Sequence, residues 1–193
     1  EVGRPGWWSS RNDLVTIWSR GGIWSMDIAP LLLELYGRIS PLAREAIDGI
    51  DLDRLTEAPA PGANTVAWLL WHLARVQDDH VAELLGSDQI WAGGDWARRF
   101  GVDPDPSNTG YGHSAEDAAA IRPESSGVLL EYLDVVWDRT RAMLENLVPA
   151  DLDRIVDQRW DPPVTLGVRL VSIADDSLQH AGQAAYLRGL FGL

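Results

Sequence analysis

The sequence predicts an all-α fold, a four-helix bundle with one long irregular connector. Apolar residues recur at helical spacing in four long stretches, and no stretch shows a recurring strand pattern. The connector between the second and third stretches is about 35 residues long, a length that is often functional. The four predicted helices of the 193-residue chain cover residues 27–49, 64–86, 124–147 and 165–190.

The first predicted helix carries an aliphatic stripe that continues to about residue 50. Its members are Ile28, Leu31, Leu32, Leu35, Ile39, Leu42 and Ile47. Pro30 is compatible with the first turn of a helix, whereas Pro41 lies in the interior and should kink it. A short helical turn is expected at residues 51–55, and a loop at residues 58–63.

The second predicted helix begins after Asn64, which can serve as its N-cap, and Gly86 can end it. The connector that follows is rich in Gly, Pro, Asp and Trp. We expect residues 93–113 to be less stable than the bundle and to cover the mouth of a site. Ser114 begins a further short helical segment with acidic residues in its first turn.

The third predicted helix presents the stripe Leu129, Leu133, Val136, Trp137, Thr140, Met143, Leu144 and Leu147. Residues 149–156 predict a short helix. Residues 157–164 contain two consecutive prolines and predict an extended crossover. Thr165 should cap the last helix, with Gly192 beyond its end.

Composition restricts the chemistry that this chain can perform. The chain has 29 acidic and 16 basic residues, for a formal net charge of −13, so it is a poor candidate for nucleic-acid or membrane binding. It has no cysteine, which excludes disulfides, a catalytic thiolate and Cys-ligated metals. Any thiol chemistry must therefore use a cosubstrate. All 16 basic residues are arginine, so lysine-based catalysis is excluded.

Residues 1–25 differ from the rest of the chain because they combine three arginines and four tryptophans with Gly and Ser. Met26 can be the natural start of a bundle domain over residues 26–193, with the preceding segment not native. The alternative is a genuine extension that packs its tryptophans on that domain. No apolar run approaches the roughly 18–20 residues of a membrane span, and no signal-peptide pattern is present. These patterns predict a cytoplasmic protein.

Two residues of the last predicted helix form a candidate ligand pair. Asp176 and His180 are four residues apart, so they share a helix face and can reach one cation. A hydrogen-bonded Asp–His pair without metal is the alternative. Asp175 points roughly 100° away from Asp176 and ranks below it. Gln183 lies on the same side and can hydrogen-bond a ligand or bound water.

Each of the other candidate residues has an alternative explanation besides ligand binding. His72 lies in an apolar stretch, where a buried structural histidine is the alternative to a ligand. His80 is expected to face solvent. His113 stands in a loop beside two glycines and can be a mobile fourth ligand or a lid residue. Arg188 can hold an anionic group of a long ligand, or can pair with a carboxylate and the helix dipole.

Two segments resemble the DinB-like superfamily. NTVAWLLWHLARVQD, at residues 64–78, resembles its second helix, which has a Trp- or Leu-rich stretch followed by His-Leu-Ala. DSLQHAGQAAYLR, at residues 176–188, resembles its last helix, which reads His-x-x-x-His-x-Gly-Gln followed by an aliphatic stretch and Arg. The resemblance covers about residues 26–193.

The resemblance implies an up-down-down-up bundle with a metal site in its core. By position, the implied ligands are His72, Asp176 and His180. The family more commonly has His at the position of Asp176, but mycothiol-dependent maleylpyruvate isomerases, a related branch, have an acid there. Such a donor set suits zinc or nickel, and also iron or manganese.

The function implied is that of a metal-dependent S-transferase or isomerase. It would use a low-molecular-weight thiol such as mycothiol and act on a small-molecule electrophile, with Gln183 and Arg188 contacting the cofactor. A metal-dependent hydrolase is one alternative, and a non-catalytic metal- or ligand-binding bundle is another. A homodimer is compatible with each of these functions.

Overall fold

The computed structural model describes residues 26–193, and the expectations for residues 1–25 lie outside them. Helices dominate this part of the chain, and one short two-stranded ribbon follows a 3-10 helix at Pro149–Asp153. The elements in chain order are α1 (Ile28–Tyr36), α2 (Ile39–Ile47), α3 (Leu52–Leu55), α4 (Val66–Leu85), α5 (Ile90–Gly93), α6 (Trp96–Arg99), α7 (Ala115–Ala120), α8 (Ser126–Leu144), β1 (Ile155–Asp157), β2 (Val164–Thr165) and α9 (Leu166–Leu190).

Four helical columns form the bundle, and α1 with α2 make up the first. This column runs parallel to α9. The hydroxyl of Tyr36, at the end of α1, donates to the Leu170 carbonyl near the start of α9 at 2.6 Å. Further along both columns, the Arg188 guanidinium donates to the Asp48 carbonyl.

The two remaining columns run the opposite way. α4 is antiparallel to α9, because His72 faces Asp176 whereas His80, further along α4, faces Arg169. α8 is parallel to α4. Tyr132 donates to Asp78 at 2.8 Å, and Arg139, further along α8, reaches the Asp88 carbonyl just beyond α4 at 2.7 Å. The order is therefore up-down-down-up, as the sequence resemblance implied.

The first column is interrupted earlier than the sequence predicted. The break lies at Gly37 and Arg38 rather than at Pro41, which stands in the first turn of α2. The N–H groups of a first turn have no partner within the helix, so the missing N–H of Pro41 costs nothing there. At the break, the Gly37 amide donates to the Leu33 carbonyl at 2.9 Å.

Most helix ends follow the predicted residues, with one difference of position. Thr65, not Asn64, caps α4, and its hydroxyl accepts from the Trp68 amide at 3.0 Å. Gly86 ends α4 in the left-handed conformation, and Thr165 caps α9. Ser114 begins α7 with a capping box.

A short antiparallel ribbon of β1 and β2 precedes α9, where the sequence predicted an extended crossover. The preceding helix is also shorter than expected, because it is a 3-10 helix that ends at Asp153. Strands of two or three residues are too short to produce an alternating pattern.

The core is centred on α4, which is buried on nearly all sides between α8, α9 and the connector. Trp68, Trp71 and Trp91 fill the space between α4 and the connector. Among residues 26–193, no helix combines the length and apolar character that a membrane crossing requires.

Candidate metal centre

The bundle brings together the three ligand residues that the sequence resemblance implied. His72 comes from α4, and Asp176 and His180 come from successive turns of α9. Their ligand atoms all lie within 4.8 Å of one another. Nε2 of His72 and Nε2 of His180 each lie 3.6 Å from Oδ1 of Asp176.

The outer nitrogens of both imidazoles are held by oxygen acceptors. Nδ1 of His72 lies 2.5 Å from the Thr109 carbonyl oxygen, which can only accept, so Nδ1 carries the proton. Nδ1 of His180 lies 2.7 Å from Oε1 of Gln183. Both Nε2 atoms then face Asp176, where each can bind a metal ion once it carries no proton. Metal-ligating histidines are usually held in this way.

Trp68 forms an aromatic wall beside both histidines. Its indole stacks on the His72 ring, with 4.6 Å between centroids and 11° between planes. Its edge faces the His180 ring, with 5.8 Å between centroids. The contacts fix both rings and remove water from one side of the group, which strengthens electrostatic interactions there.

The charges of the group favour a bound cation. Burial raises the pKa of Asp176, but hydrogen bonds and charge from His180 and His72 outweigh burial and bring that pKa to about 2. Burial lowers the pKa of His180, but Asp176 and Gln183 outweigh it and the pKa is raised. Oδ2 of Asp176 is buried with no hydrogen-bond partner among residues 26–193. An ionised, under-coordinated carboxylate facing two imidazole Nε2 atoms fits a divalent ion, which would take the place of the protons between them.

A sequence model of the DinB superfamily matches residues 40–184. The chain belongs to the DinB superfamily. A similar solved structure is described as the conserved protein of locus from Enterococcus faecalis. It has a TM-score of 0.78 and 32% sequence identity, and the match covers 85% of this chain and 96% of that one. No curated protein matches the chain.

Two other residues that the sequence singled out in this DinB-superfamily chain, Asp175 and Arg188, have protein partners. Asp175 is exposed and accepts from Gln179 at 2.8 Å, away from the ligand group, as its helical position predicts. Arg188 donates to the Asp48 carbonyl, at the end of α2. Its contact with a ligand stays a prediction.

His113 contacts Trp68 and is not part of the group formed by His72, Asp176 and His180. Its Nδ1 accepts from the Trp68 indole N–H at 3.1 Å, and its Nε2 lies 2.9 Å from Oδ1 of Asn108. Burial lowers the pKa of His113, against the opposing effect of Asp117. Both ring nitrogens therefore have protein partners, and a role as fourth ligand would require one of these contacts to break.

The sequence predicted that His80 faces solvent, and this prediction is wrong. Its side chain is 24% exposed and its Nε2 lies 3.3 Å from the Arg169 guanidinium. The reason is the angle between His80 and His72 on α4: it turns His80 into the groove between α4 and α9 rather than outward.

Arg75 was not singled out by the sequence analysis, although it holds the connector against the bundle. It is fully buried and donates to the carbonyls of Pro106 at 2.8 Å and Asn108 at 3.1 Å. Both residues lie just before Thr109, the partner of His72. A charged residue within the apolar stretch of α4, three positions before Asp78, was the available signal.

Asp78 completes this buried network. It is fully buried, pairs with Arg75, and accepts from the amides of Ile90 and Trp91 at 2.9 Å each. Tyr132 of α8 donates to the same carboxylate. The hydrogen bonds of Arg75 and Asp78 therefore connect α4 to α8 and to the connector.

A cleft of about 880 Å³ begins at the candidate metal group of this DinB-superfamily chain, which consists of His72, Asp176 and His180. His72, Asp176 and Thr109 line one end, and Arg169 and His80 line the other. The volume lies within the range of small-molecule sites.

Proposed function

We propose that this chain is a metal-dependent enzyme that holds a divalent ion through Nε2 of His72, Asp176 and Nε2 of His180. The observation that carries the proposal is the shared orientation of the two imidazoles, each donating outward from Nδ1 and directing Nε2 toward one carboxylate. Two nitrogens and one oxygen suit zinc or nickel first, and also iron or manganese. Three protein ligands leave positions for further ligands.

The proposed reaction is S-transfer or isomerisation with a low-molecular-weight thiol, such as mycothiol, as cosubstrate. The resemblance to thiol-dependent isomerases supports it, and the absence of cysteine means that the chain supplies no thiol of its own. When bound, the metal would lower the pKa of a coordinated thiol and make thiolate available near neutral pH. The small-molecule electrophile would occupy the cleft beside the metal group.

The residues of the chain have separable roles in this proposal. Asp176 stays ionised and neutralises part of the cation charge. Thr109 and Gln183 keep the protons of His72 and His180 on Nδ1, and Trp68 excludes water from one side. Hydrolysis at the same centre, and metal binding without turnover, are the competing functions.

The metal assignment is tested by metal content after identical loading and dialysis. Asp176→Asn should lose most of the ion, and His72→Ala and His180→Ala should lose it as well. Asp175→Asn is the matched control, because it changes the neighbouring carboxylate that points away from the group. Equal stoichiometric metal in all variants, or no metal in the wild type, would overturn the assignment.

The reaction class is tested on metal-loaded protein with and without added thiol. Metal-dependent binding of mycothiol, and turnover of an electrophile only when thiol is present, is the expected result. Turnover of an ester or amide without thiol would replace the proposal with hydrolysis. Metal binding with no turnover of any electrophile would leave a binding protein.

A further inference from the structure

The cleft beside the metal group has a second polar end, built from residues with no part in holding the ion. It follows the groove between the antiparallel helices α4 and α9. Cleft residues recur along both helices at three- or four-residue spacing: His72, Val76, His80 and Glu83 on α4, and Asp176, Ser172 and Arg169 on α9. Arg169 is seven residues from Asp176, so the two ends are about 10 Å apart at the helical rise per residue.

Arg169 is the centre of this far end. Its side chain is only 11% exposed, and Nη2 donates to Oδ2 of Asp157 in β1 at 2.8 Å. Nη1 faces Nε2 of His80 at 3.3 Å. The third donor, Nε, is buried with no hydrogen-bond partner among residues 26–193.

The contact with Arg169 fixes the proton of His80. A guanidinium can only donate, so Nε2 of His80 must accept and Nδ1 carries the proton. Burial and the Arg169 charge hold the pKa of His80 below its usual value, despite opposing effects of Asp79, Glu83 and Asp176. Nδ1 of His80 is also buried without a partner in the described part of the chain. The far end therefore contains two N–H donors that lack acceptors in the described part of the chain, one on Arg169 and one on His80.

The nearby acids do not supply these acceptors. Asp157 already accepts from the Arg159 guanidinium, with two contacts of 2.8 Å, as well as from Arg169. Asp79 and Glu83 stand 3.8 and 3.9 Å from Nδ1 of His80, beyond hydrogen-bond distance. Their negative charges at the rim disfavour a multiply charged group such as a phosphate, whereas a carbonyl or single carboxylate oxygen satisfies the donors.

We propose that the far end of this cleft is a substrate-recognition subsite in which Arg169 and His80 bind a carbonyl or carboxylate oxygen of an elongated ligand. The other end of the same ligand lies about 10 Å away, at the metal group. Trp160 and Tyr111, 65% and 94% exposed, line the cleft and offer aromatic surface to the intervening chain of the ligand. This inference rests on the proposed metal function.

The test uses straight-chain hydroxamates on the zinc-loaded full chain, measured by calorimetry. The hydroxamate of each probe binds the metal, and the opposite end carries a methyl, primary amide, carboxylate or ammonium group. The probes come in a series of lengths, some shorter and some longer than the distance of about 10 Å between the two ends of the cleft. At the matching length, we expect the amide or carboxylate probe to bind about tenfold more tightly than the methyl probe, the gain from hydrogen bonds to a charged donor. Comparison of the two oxygen probes identifies which oxygen the subsite prefers.

Variants separate recognition from folding and from metal binding. Arg169→Met should abolish the gain while leaving the affinity of the methyl probe unchanged, which also shows that the metal end is intact. His80→Phe keeps a ring of similar shape and should remove part of the gain. Arg38→Met, which changes an exposed guanidinium paired with Glu34, is the control.

Three results would overturn the subsite: no dependence on chain length, the tightest binding by the ammonium probe, or an unchanged gain in Arg169→Met. Failure of the metal function gives a different result, because the methyl hydroxamate would then not bind either.

Discussion

Gly110 lies so close to His72 that a Cβ at position 110 would stand 2.7 Å from Nδ1 of the histidine. The same Cβ would be 2.9 Å from the Trp71 ring, and the φ of Gly110 is +92°, in the left-handed region. Glycine at this position therefore allows the connector to approach α4 closely enough for the Thr109 carbonyl to meet His72.

Gly110→Ala should destabilise the protein and weaken metal binding. Gly112→Ala is the matched control, because Gly112 also has a positive φ, of +77°, but its Cβ would meet nothing within 4 Å. We expect the free energy of unfolding to fall by about 1–3 kcal/mol more for Gly110→Ala, the usual cost of overpacking. Urea unfolding and metal titration measure both effects, and identical behaviour of the two variants would contradict the close approach.

Gln183→Leu should weaken metal binding without unfolding the bundle. The substitution removes the acceptor that keeps the proton of His180 on Nδ1. Loss of such a partner typically lowers metal affinity by about ten- to a hundredfold. Gln179→Leu, one turn earlier and bonded to exposed Asp175, is the control. A competitive chelator titration would give both affinities, and equal values would exclude an orienting role for Gln183.

Arg75→Met should loosen the connector and, through it, the metal group. Removing the guanidinium takes away the closer ion partner of buried Asp78 and leaves only Arg139, at 3.7 Å. Breaking a buried ion pair typically costs about 3–5 kcal/mol. In the wild type we expect amides of residues 93–113 to exchange faster than those of α4, and in Arg75→Met the difference should widen.

The control for Arg75→Met is Gln77→Met on the same helix, α4, which removes a buried hydrogen bond to Thr140 of α8. That variant should lose stability without a selective change in connector exchange or metal affinity. If Arg75→Met retained both the exchange pattern and the affinity of the wild type, the connector would have to be held by other contacts.

Asp157 should make stability depend on pH in the acid range. Hydrogen bonds from Arg159, and the charges of Arg159 and Arg169, hold the pKa of Asp157 well below its usual value in the folded state. Its contribution is therefore present above the unfolded pKa, about 3.9, and is lost as pH falls toward the folded pKa. In metal-free protein, the stability difference between wild type and Asp157→Asn should shrink between pH 5 and pH 3, each pH being about a unit from that reference value. A constant difference would contradict the assignment.

Helical periodicity and the resemblance of two segments were sufficient to predict the four columns and the grouping of His72, Asp176 and His180. Spacing places residues on one face when they belong to one helix, as for Asp176, His180 and Gln183. Spacing carries no information on where two helices cross, so the contact between His80 and Arg169 could not be predicted.

Local backbone features were predictable only where one residue determines them. Gly86 and Thr165 each satisfy a helix end by their own chemistry, and both stand where the sequence indicates. The break before Pro41 depends instead on which residue begins α2, and α1 and α2 together read as one continuous apolar stripe. Thr109 was not predictable because its contribution is a backbone carbonyl, which every residue has.

The proposed ligands come from the second and the last columns of the bundle, far apart along the chain. An ion bound to both would act as a cross-link that only the folded topology can close. Because an unfolded chain would hold the ion weakly, ion concentration would set the population of the folded state by mass action. The metal centre would then couple the integrity of the entire bundle to the metal supply around it.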